Sequence, residues 1–250
     1  MVKIVITAPR GKMDKLIVKM ASQSTDIQIV GGLGPLGRNY IGMDIGIAAG
    51  LGYEVGALVY DDLEKIIDQC DIVIDFSTVT LSMHTLDICL MHKKALICGT
   101  TGFTDEQAAK FMVASKHIPV LKAANTSYVS NVMKKLLGIT AAALDERTKI
   151  EIIDYHDEKK VDAPSGTAKE FAEEMADHSS KDISEIDFHS IRAGDISSTH
   201  TVLFGCMGER LEITHRCYNW ECCARGACDA IRFLAVKPVG FYTMDEVVSV

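Results

Sequence analysis

Asp71–Gly99 reads DIVIDFSTVTLSMHTLDICLMHKKALICG. Asp71–Phe76 is a strand-length run apolar enough to lie in the middle of a sheet. Ser82–His92 reads as a helix, and Ala95–Cys98 as a second strand stopped at Gly99. The same rhythm extends outward on both sides. Val2–Thr7 is a β-branched strand, and Gly11–Met20 carries helical spacing at Met13, Leu16, Ile17 and Met20. Ile27–Gly32 reads as a strand, and Asp61–Gln69 as an amphipathic segment with Leu63, Ile66 and Ile67 on one face. Asp105–Ser115 is a helix and Pro119–Ala123 a strand. Strand alternating with helix predicts an α/β fold with a parallel, doubly wound sheet up to about Asn125.

Beyond Asn125 the rhythm changes. Asn131–Leu144 is a helix with no short return strand, and Lys149–Tyr155 is a strand. Ser165–Asp177 is a helix, and Asp187–Ile191 a strand. His200–Gly205 and Glu209–Arg216 are two strands split by a turn at Gly208. This pattern predicts a second, α+β domain with a more open sheet, its boundary near Asn125–Ser130. Ala224–Leu234 is helical again, and Gly240–Val248 is a short tail.

The chain has 250 residues, 48% of them hydrophobic, and a formal charge of -8. That excludes disorder as its main character. It argues against a general nucleic-acid binder, which needs clustered Lys and Arg. The start, MVKIVITAPRGKMDKL, meets Pro, Arg and Lys too early for a signal peptide. No apolar run reaches membrane-spanning length, so the expected compartment is the cytoplasm, without a membrane partner. The eight Cys are expected to be thiols. Cys217, Cys222, Cys223 and Cys228 lack the Cys-x2-Cys knuckle of structural zinc sites, so no metal is assigned. Packing of a helix against a sheet is the favoured role for them.

Thr7-Ala8-Pro9-Arg10-Gly11-Lys12-Met13-Asp14 joins the first strand to the first helix, where dinucleotide folds hold pyrophosphate. It keeps one glycine, Gly11. Asp14 brings a negative charge to the first turn, which suits a helix N-terminus but not a phosphate; Lys12 and Arg10 partly offset it. After the second strand, Gly31–Arg38 has no acid for a ribose, while Arg38 fits a 2′-phosphate; the alternative is a glycine-rich surface loop. Gly99-Thr100-Thr101-Gly102-Phe103 ends a central strand, where a flat ring fits against glycine backbone. Ala123-Ala124-Asn125-Thr126-Ser127 ends the next strand in the same way.

Glu151–Ala168, EIIDYHDEKKVDAPSGTA, carries the chemistry. His156 and Lys160 share a face if their loop is helical, offering a proton donor and a cation; the alternative is a solvated charged loop. In Asp162-Ala163-Pro164-Ser165-Gly166-Thr167 the Pro presets a turn. Ser165 can cap the helix, and Gly166 and Thr167 present N–H groups to an anion.

This stretch resembles the signature of the 4-hydroxy-tetrahydrodipicolinate (dihydrodipicolinate) reductase family. DIVIDFS at 71–77, CGTTGF at 98–103, AANTS at 123–127, SIRAGDI at 190–196 and GERLEITHR at 208–216 look like family segments in family order. The resemblance implies a Rossmann-like domain of residues 1–126 with 224–250, and a substrate-binding, tetramerisation domain of residues 127–223. It implies NADPH or NADH as cofactor, a small carboxylated heterocyclic substrate and a homotetramer. Gly11, Lys12 and Met13 would hold the pyrophosphate. Phe76, Gly99, Thr100, Thr101, Ala123, Ala124, Asn125 and Thr126 would surround the nicotinamide. His156 would be the proton donor, Lys160 the catalytic Lys, and Ser165, Gly166 and Thr167 the carboxylate site. Asp157 stands beside them where the family has a second His. Ala8 and Asp14 replace loop glycines, and Trp220 replaces an Arg. If Asp157 faces the substrate, two like charges about 4 Å apart cost on the order of 4 kcal/mol; pairing with Lys159 would cancel it. The reaction implied is reduction to tetrahydrodipicolinate in lysine (diaminopimelate) biosynthesis. The alternative is a divergent paralogue acting on another cyclic imine or enamine carboxylate, or a non-catalytic binding or assembly protein.

Overall fold

The structure is a computed structural model and describes residues 1–248. The described residues form two compact units, residues 1–127 with 223–248, and residues 128–222.

The first unit begins with β1 (Val2–Thr7), α1 (Lys12–Ser22), β2 (Ile27–Leu33), α2 (Ile45–Ala49) and β3 (Val59–Tyr60). It continues with β4 (Ile72–Asp75), α3 (Val79–Met91), β5 (Ala95–Cys98), α4 (Asp105–Ala114) and β6 (Pro119–Lys122). The second unit holds α5 (Tyr128–Ala143), β7 (Lys149–His156), α6 (Gly166–Asp177), β8 (Ile186–Arg192), β9 (Ser198–Cys206) and β10 (Glu209–Cys217). α7 (Glu221–Leu234), β11 (Gly240–Tyr242) and α8 (Met244–Val247) follow.

Seven strands form one sheet in the order β11-β6-β5-β4-β1-β2-β3, every pair parallel. The period of two separates its faces. Ile4 and Ile6 pack with Ile17 of α1, Ile45 of α2 and Ile231 of α7. Val5 points to the opposite core, with Leu86 of α3 and Phe111 of α4. A parallel sheet covered on both faces is the α/β architecture that the alternating rhythm predicts. The last strand comes from the expected tail: Gly240–Tyr242 pairs with Pro119–Leu121. Three residues are too few to announce a strand by periodicity.

Asp61–Gln69 forms two short 3-10 turns, Leu63–Lys65 and Ile67–Gln69, broken at Ile66 with φ -133. The break lets Ile66 cover Gly31, whose place admits no side chain: a Cβ there would lie 2.8 Å from Ile66 Cγ1. Residues 42–57, which carry no periodicity, are organised by Asp44. Its carboxylate accepts the N–H groups of Gly46, Val55, Gly56 and Ala57.

In the second unit four strands run β10-β9-β7-β8, with β7 and β8 parallel and the other pairs antiparallel. Met133 and Leu137 of α5 and Phe171 and Met175 of α6 cover Ile150, Ile152, Val202 and Phe204 on one face. Among the described residues no helix is long and apolar enough to cross a membrane.

Candidate active site

In the first unit the C-terminal ends of β1, β4, β5 and β6 carry the candidate cofactor residues. The turn after β1 closes with Gly11 N–H donating to the Ala8 carbonyl at 2.6 Å. Ala8, where a first loop glycine would stand, takes a left-handed φ of 43, strained for a residue with a Cβ. Gly11 caps α1 without a side chain, so α1 keeps an N-terminus suited to an anion. A Cβ on Gly11 would meet Asp14 Oδ2 at 2.2 Å.

The expected role of Asp14 needs correction. Its carboxyl does not add a surface charge that Arg10 and Lys12 offset, because it is fully buried. Burial, then the charge of Asp75, pushes its pKa well above the carboxylate range, and nearby backbone N–H groups of Asp14 and Phe76 oppose this only in part. The shift favours the neutral form, which repels a phosphate less than a carboxylate does. Arg10 turns the other way: it stacks on the Tyr40 ring at 4.7 Å and donates to Asn39 at 3.0 Å. Arg38 is exposed on the same loop, and its guanidinium has no bonding partner among the described residues.

Asp75 ends β4 fully buried, accepting from the Thr7 hydroxyl at 2.7 Å and the Ser77 N–H at 3.1 Å. Phe76 packs against Gly99, where its ring leaves no room for a Cβ. Thr100 follows, its buried hydroxyl without a hydrogen bond, and Thr101 is exposed. An orphaned hydroxyl and an open helix N-terminus at this sheet edge suit a dinucleotide. In the next loop Thr126 is committed elsewhere, donating to the Cys223 carbonyl at 2.8 Å. Asn125 accepts from Ser127 N–H at 2.9 Å, leaving Ala123 and Ala124 to offer backbone alone.

In the second unit the site is built at the end of β7. His156 is 8% exposed, and its buried Nδ1, without a hydrogen bond, lies 3.9 Å from Asp154 Oδ2. Its ring meets His200 edge-on at 5.3 Å. Burial first, then the charge of Lys160, lowers the His156 pKa, while Asp154 opposes the shift. Asp154 is also buried. Burial would raise its pKa, but the Arg192 guanidinium, Ser190 and Ser165 outweigh burial and hold it well below the usual carboxylate range. Arg192 donates to both of its oxygens, at 2.9 and 3.3 Å, and to the Asp162 carbonyl at 2.6 Å. Asp154 therefore pins the turn before α6: it accepts the Ser165 N–H at 2.7 Å. Asp154, His156 and His200 bring ligating atoms within 4.8 Å of one another. Arg192 and the Ser165 amide already use both Asp154 oxygens, so no cation is assigned there.

Ser165 is the N-cap of α6, accepting the Ala168 N–H at 3.2 Å, and its oxygen lies 3.0 Å from His200 Nε2. Gly166 is exposed, and nothing lies within 4 Å of the place a Cβ would take. Open space at a helix N-terminus leaves room for a carboxylate. The 157–164 loop is not helical. Lys160 approaches through a turn, and its ammonium holds Asp162 at 2.7 and 2.9 Å. Asp157 directs its carboxylate into that turn, accepting the Lys159 N–H at 2.9 Å. The Lys159 backbone, rather than its ammonium, is its partner. Trp220 is 39% exposed between β10 and α7.

Residues 2–126 match the dihydrodipicolinate reductase N-terminus and residues 130–248 the C-terminus of the same enzyme. The chain belongs to the dihydrodipicolinate reductase family. Curated relatives named 4-hydroxy-tetrahydrodipicolinate reductase, from Geotalea uraniireducens and Geobacter metallireducens, are each 35% identical over 266 residues, covering 100% of this chain and 99% of theirs. A dipicolinate-bound dihydrodipicolinate reductase from Paenisporosarcina sp. TG-14 shares the fold, with TM-score 0.82 over 98% of this chain and 99% of that one at 24% identity. An amine dehydrogenase from Mycobacterium smegmatis is similar at TM-score 0.66 and 14% identity, over 98% of this chain and 95% of that one. The resemblance and the α/β plus α+β architecture expected from sequence are thus met, and the chain is an oxidoreductase of the dihydrodipicolinate reductase family.

Sequence reasoning passed over Asp154, Arg192 and His200. Asp154 and Arg192 are 38 positions apart, and no spacing rule joins them. The alternation of β7 did carry a signal: Asp154 and His156 share a face with the core residues Ile150 and Ile152, and a charge on a buried face calls for a partner.

Proposed function

We propose that this chain reduces 4-hydroxy-tetrahydrodipicolinate to tetrahydrodipicolinate with NADPH or NADH, in the diaminopimelate route to lysine. The observation that carries this reading is the cluster at the end of β7, where His156, Lys160 and the open N-terminus of α6 stand together on the Asp154–Arg192 pair. In this reading the first unit holds the cofactor and the second holds the substrate. The nicotinamide, when bound, supplies a hydride. Gly11, Lys12 and Met13 hold the pyrophosphate, and Thr100 and the backbone of Ala123 and Ala124 orient the nicotinamide. Arg38, exposed on the loop whose Tyr40 ring Arg10 stacks on, accommodates a 2′-phosphate, so NADPH is accepted at least as well as NADH.

The substrate's carboxylates meet Gly166 and Thr167 N–H groups at α6 and the Lys160 ammonium. That ammonium exchanges Asp162 for substrate or shares itself between them. His156 is held neutral in the free protein. The approach of a dianion raises its proton affinity, and the proton it then carries passes to the atom that receives electron density. Lys160 and the helix N-terminus stabilise charge where it accumulates.

Eight free thiols fit a reducing compartment such as the cytoplasm. The second face of the four-stranded sheet carries Ile153, Tyr155, Leu203 and Ile191, none of them fully buried, with Ile191 41% exposed. Such a face suits assembly with further copies, as a homotetramer.

The test is consumption of NADPH and NADH with freshly made substrate, beside a fluorescence titration of each cofactor. Failure of both cofactors to bind below millimolar sinks the reading. Full turnover by His156→Gln removes the proposed acid. Cofactor binding without turnover favours another cyclic imine or enamine carboxylate, the reading that Trp220, in place of an Arg, supports.

A further inference from the structure

The Cys217 and Cys222 sulfurs lie 3.3 Å apart. Both thiols point at one acceptor, the Asn219 carbonyl, at 3.0 and 3.2 Å. The turn is held independently of them: Asn219 Oδ1 accepts the Glu221 N–H at 2.9 Å, and Ser197 donates to the Tyr218 carbonyl at 3.0 Å. Both cysteines are half-buried, unlike Cys70, Cys89, Cys98 and Cys228, which are sealed in the first unit's core. The packing role expected for the whole cluster therefore fits Cys228 alone. Cys222, and then burial, pushes the Cys217 thiol up, as two sulfurs sharing one site cannot both ionise easily. His215, buried on β10, lies close enough to Cys222 to feel its charge.

We infer that Cys217 and Cys222 are a reversible disulfide site, closed by low-molecular-weight disulfides and opened by dithiols. Closing the bridge brings the sulfurs from 3.3 Å to about 2.05 Å. The ring it closes is short and already bent, so little chain freedom is lost. The Cys222 thiolate attacks one sulfur of the small disulfide, forming a mixed disulfide and releasing one small thiolate. The Cys217 thiolate then attacks the Cys222 sulfur, forming the protein bridge and expelling the second small thiolate. The two protons lost by the cysteines end on the two small thiols. The cysteines are oxidised by two electrons, and the reagent is reduced by two. The ring encloses Trp220, the single tryptophan of the chain. The inference stands on thiol geometry alone and does not depend on the reductase reading.

The test is to incubate the full chain with glutathione disulfide, quench with acid, and count thiols and mass under denaturing conditions. Closure is expected to lower the thiol count from 8 by two, with loss of two hydrogens, a peptide map joining Cys217 to Cys222, and a dithiol-reversible change in Trp220 fluorescence. Cys217→Ser is expected to stop at the mixed disulfide on Cys222. An unchanged thiol count, a mixed disulfide persisting in the wild type, or a bridge between any other pair overturns the inference. Turnover of the reduced protein, measured alongside, reports on the reductase reading separately.

Discussion

The Ser165 oxygen lies 3.0 Å from His200 Nε2 and accepts the Ala168 N–H at 3.2 Å. The hydroxyl keeps a second lone pair and its proton, so the direction of the bond to His200 Nε2 follows the His200 tautomer. Burial, then His156, drives the His200 pKa down to about 3, which favours a neutral ring. A double-mutant cycle over Ser165→Ala and His200→Gln is therefore expected to show coupling of about 1 kcal/mol in urea denaturation. Ser165→Ala alone should cost about 1–2 kcal/mol as a lost cap and partner. Simple additivity would remove the bond.

The same histidine makes stability depend on pH. Unfolded, it binds a proton near 6.5; folded, not until about 3. The unfolded chain therefore holds the extra proton between those values, and stability falls as pH drops through that window. The slope contributed is about 1.4 kcal/mol per pH unit. Carboxylates held ionised, such as Asp154, add to the acid loss, so the measurement is the difference between wild type and His200→Gln from pH 4 to 6. Parallel curves would contradict a neutral His200.

Much of this was legible beforehand, for identifiable reasons. DIVIDF and ALIC announce central strands because both faces of β4 and β5 are buried, so apolarity is continuous. Ser165–Thr167 announces its cap because capping is local. Asp14 misled because a charge in a first helical turn ordinarily faces water, and only the tertiary fold turns it under the loop. The Asp154–Arg192 pair was invisible because it joins β7 to β8 across a long stretch of chain.

Lys160 is the second-largest cause of the lowered His156 pKa, after burial. Removing its charge in Lys160→Met should move the inflection of kcat/KM that reports free His156 upward, towards 6.5, while kcat/KM itself falls at least tenfold. The pH profile separates this from a merely structural loss, which would lower the curve without moving it.

Arg192→Met leaves a buried carboxylate with the Ser165 amide but no cation. The expected cost is about 3–5 kcal/mol, read by denaturant midpoint. Adding Asp154→Asn removes the uncompensated charge and should recover most of it. A double variant as unstable as the single one would mean that the pair acts through packing instead of charge.

Asp14 gives the opposite pH signature. Its unfolded pKa is near 3.8 and its folded pKa is raised by burial and Asp75. The folded chain keeps a proton that the unfolded chain releases, so stability is lost as pH rises from 3.8 through the folded value. Asp14→Asn does not titrate, and it should gain on wild type as pH rises above 3.8, by about 1.4 kcal/mol per pH unit until the folded value is passed. Because burial favours the uncharged carboxyl, the Asn variant should hold NADPH within about threefold of wild type. If instead Asp14→Asn binds NADPH ten times more tightly, the carboxylate is charged beneath the phosphate loop, and its burial opposes the cofactor rather than sparing it.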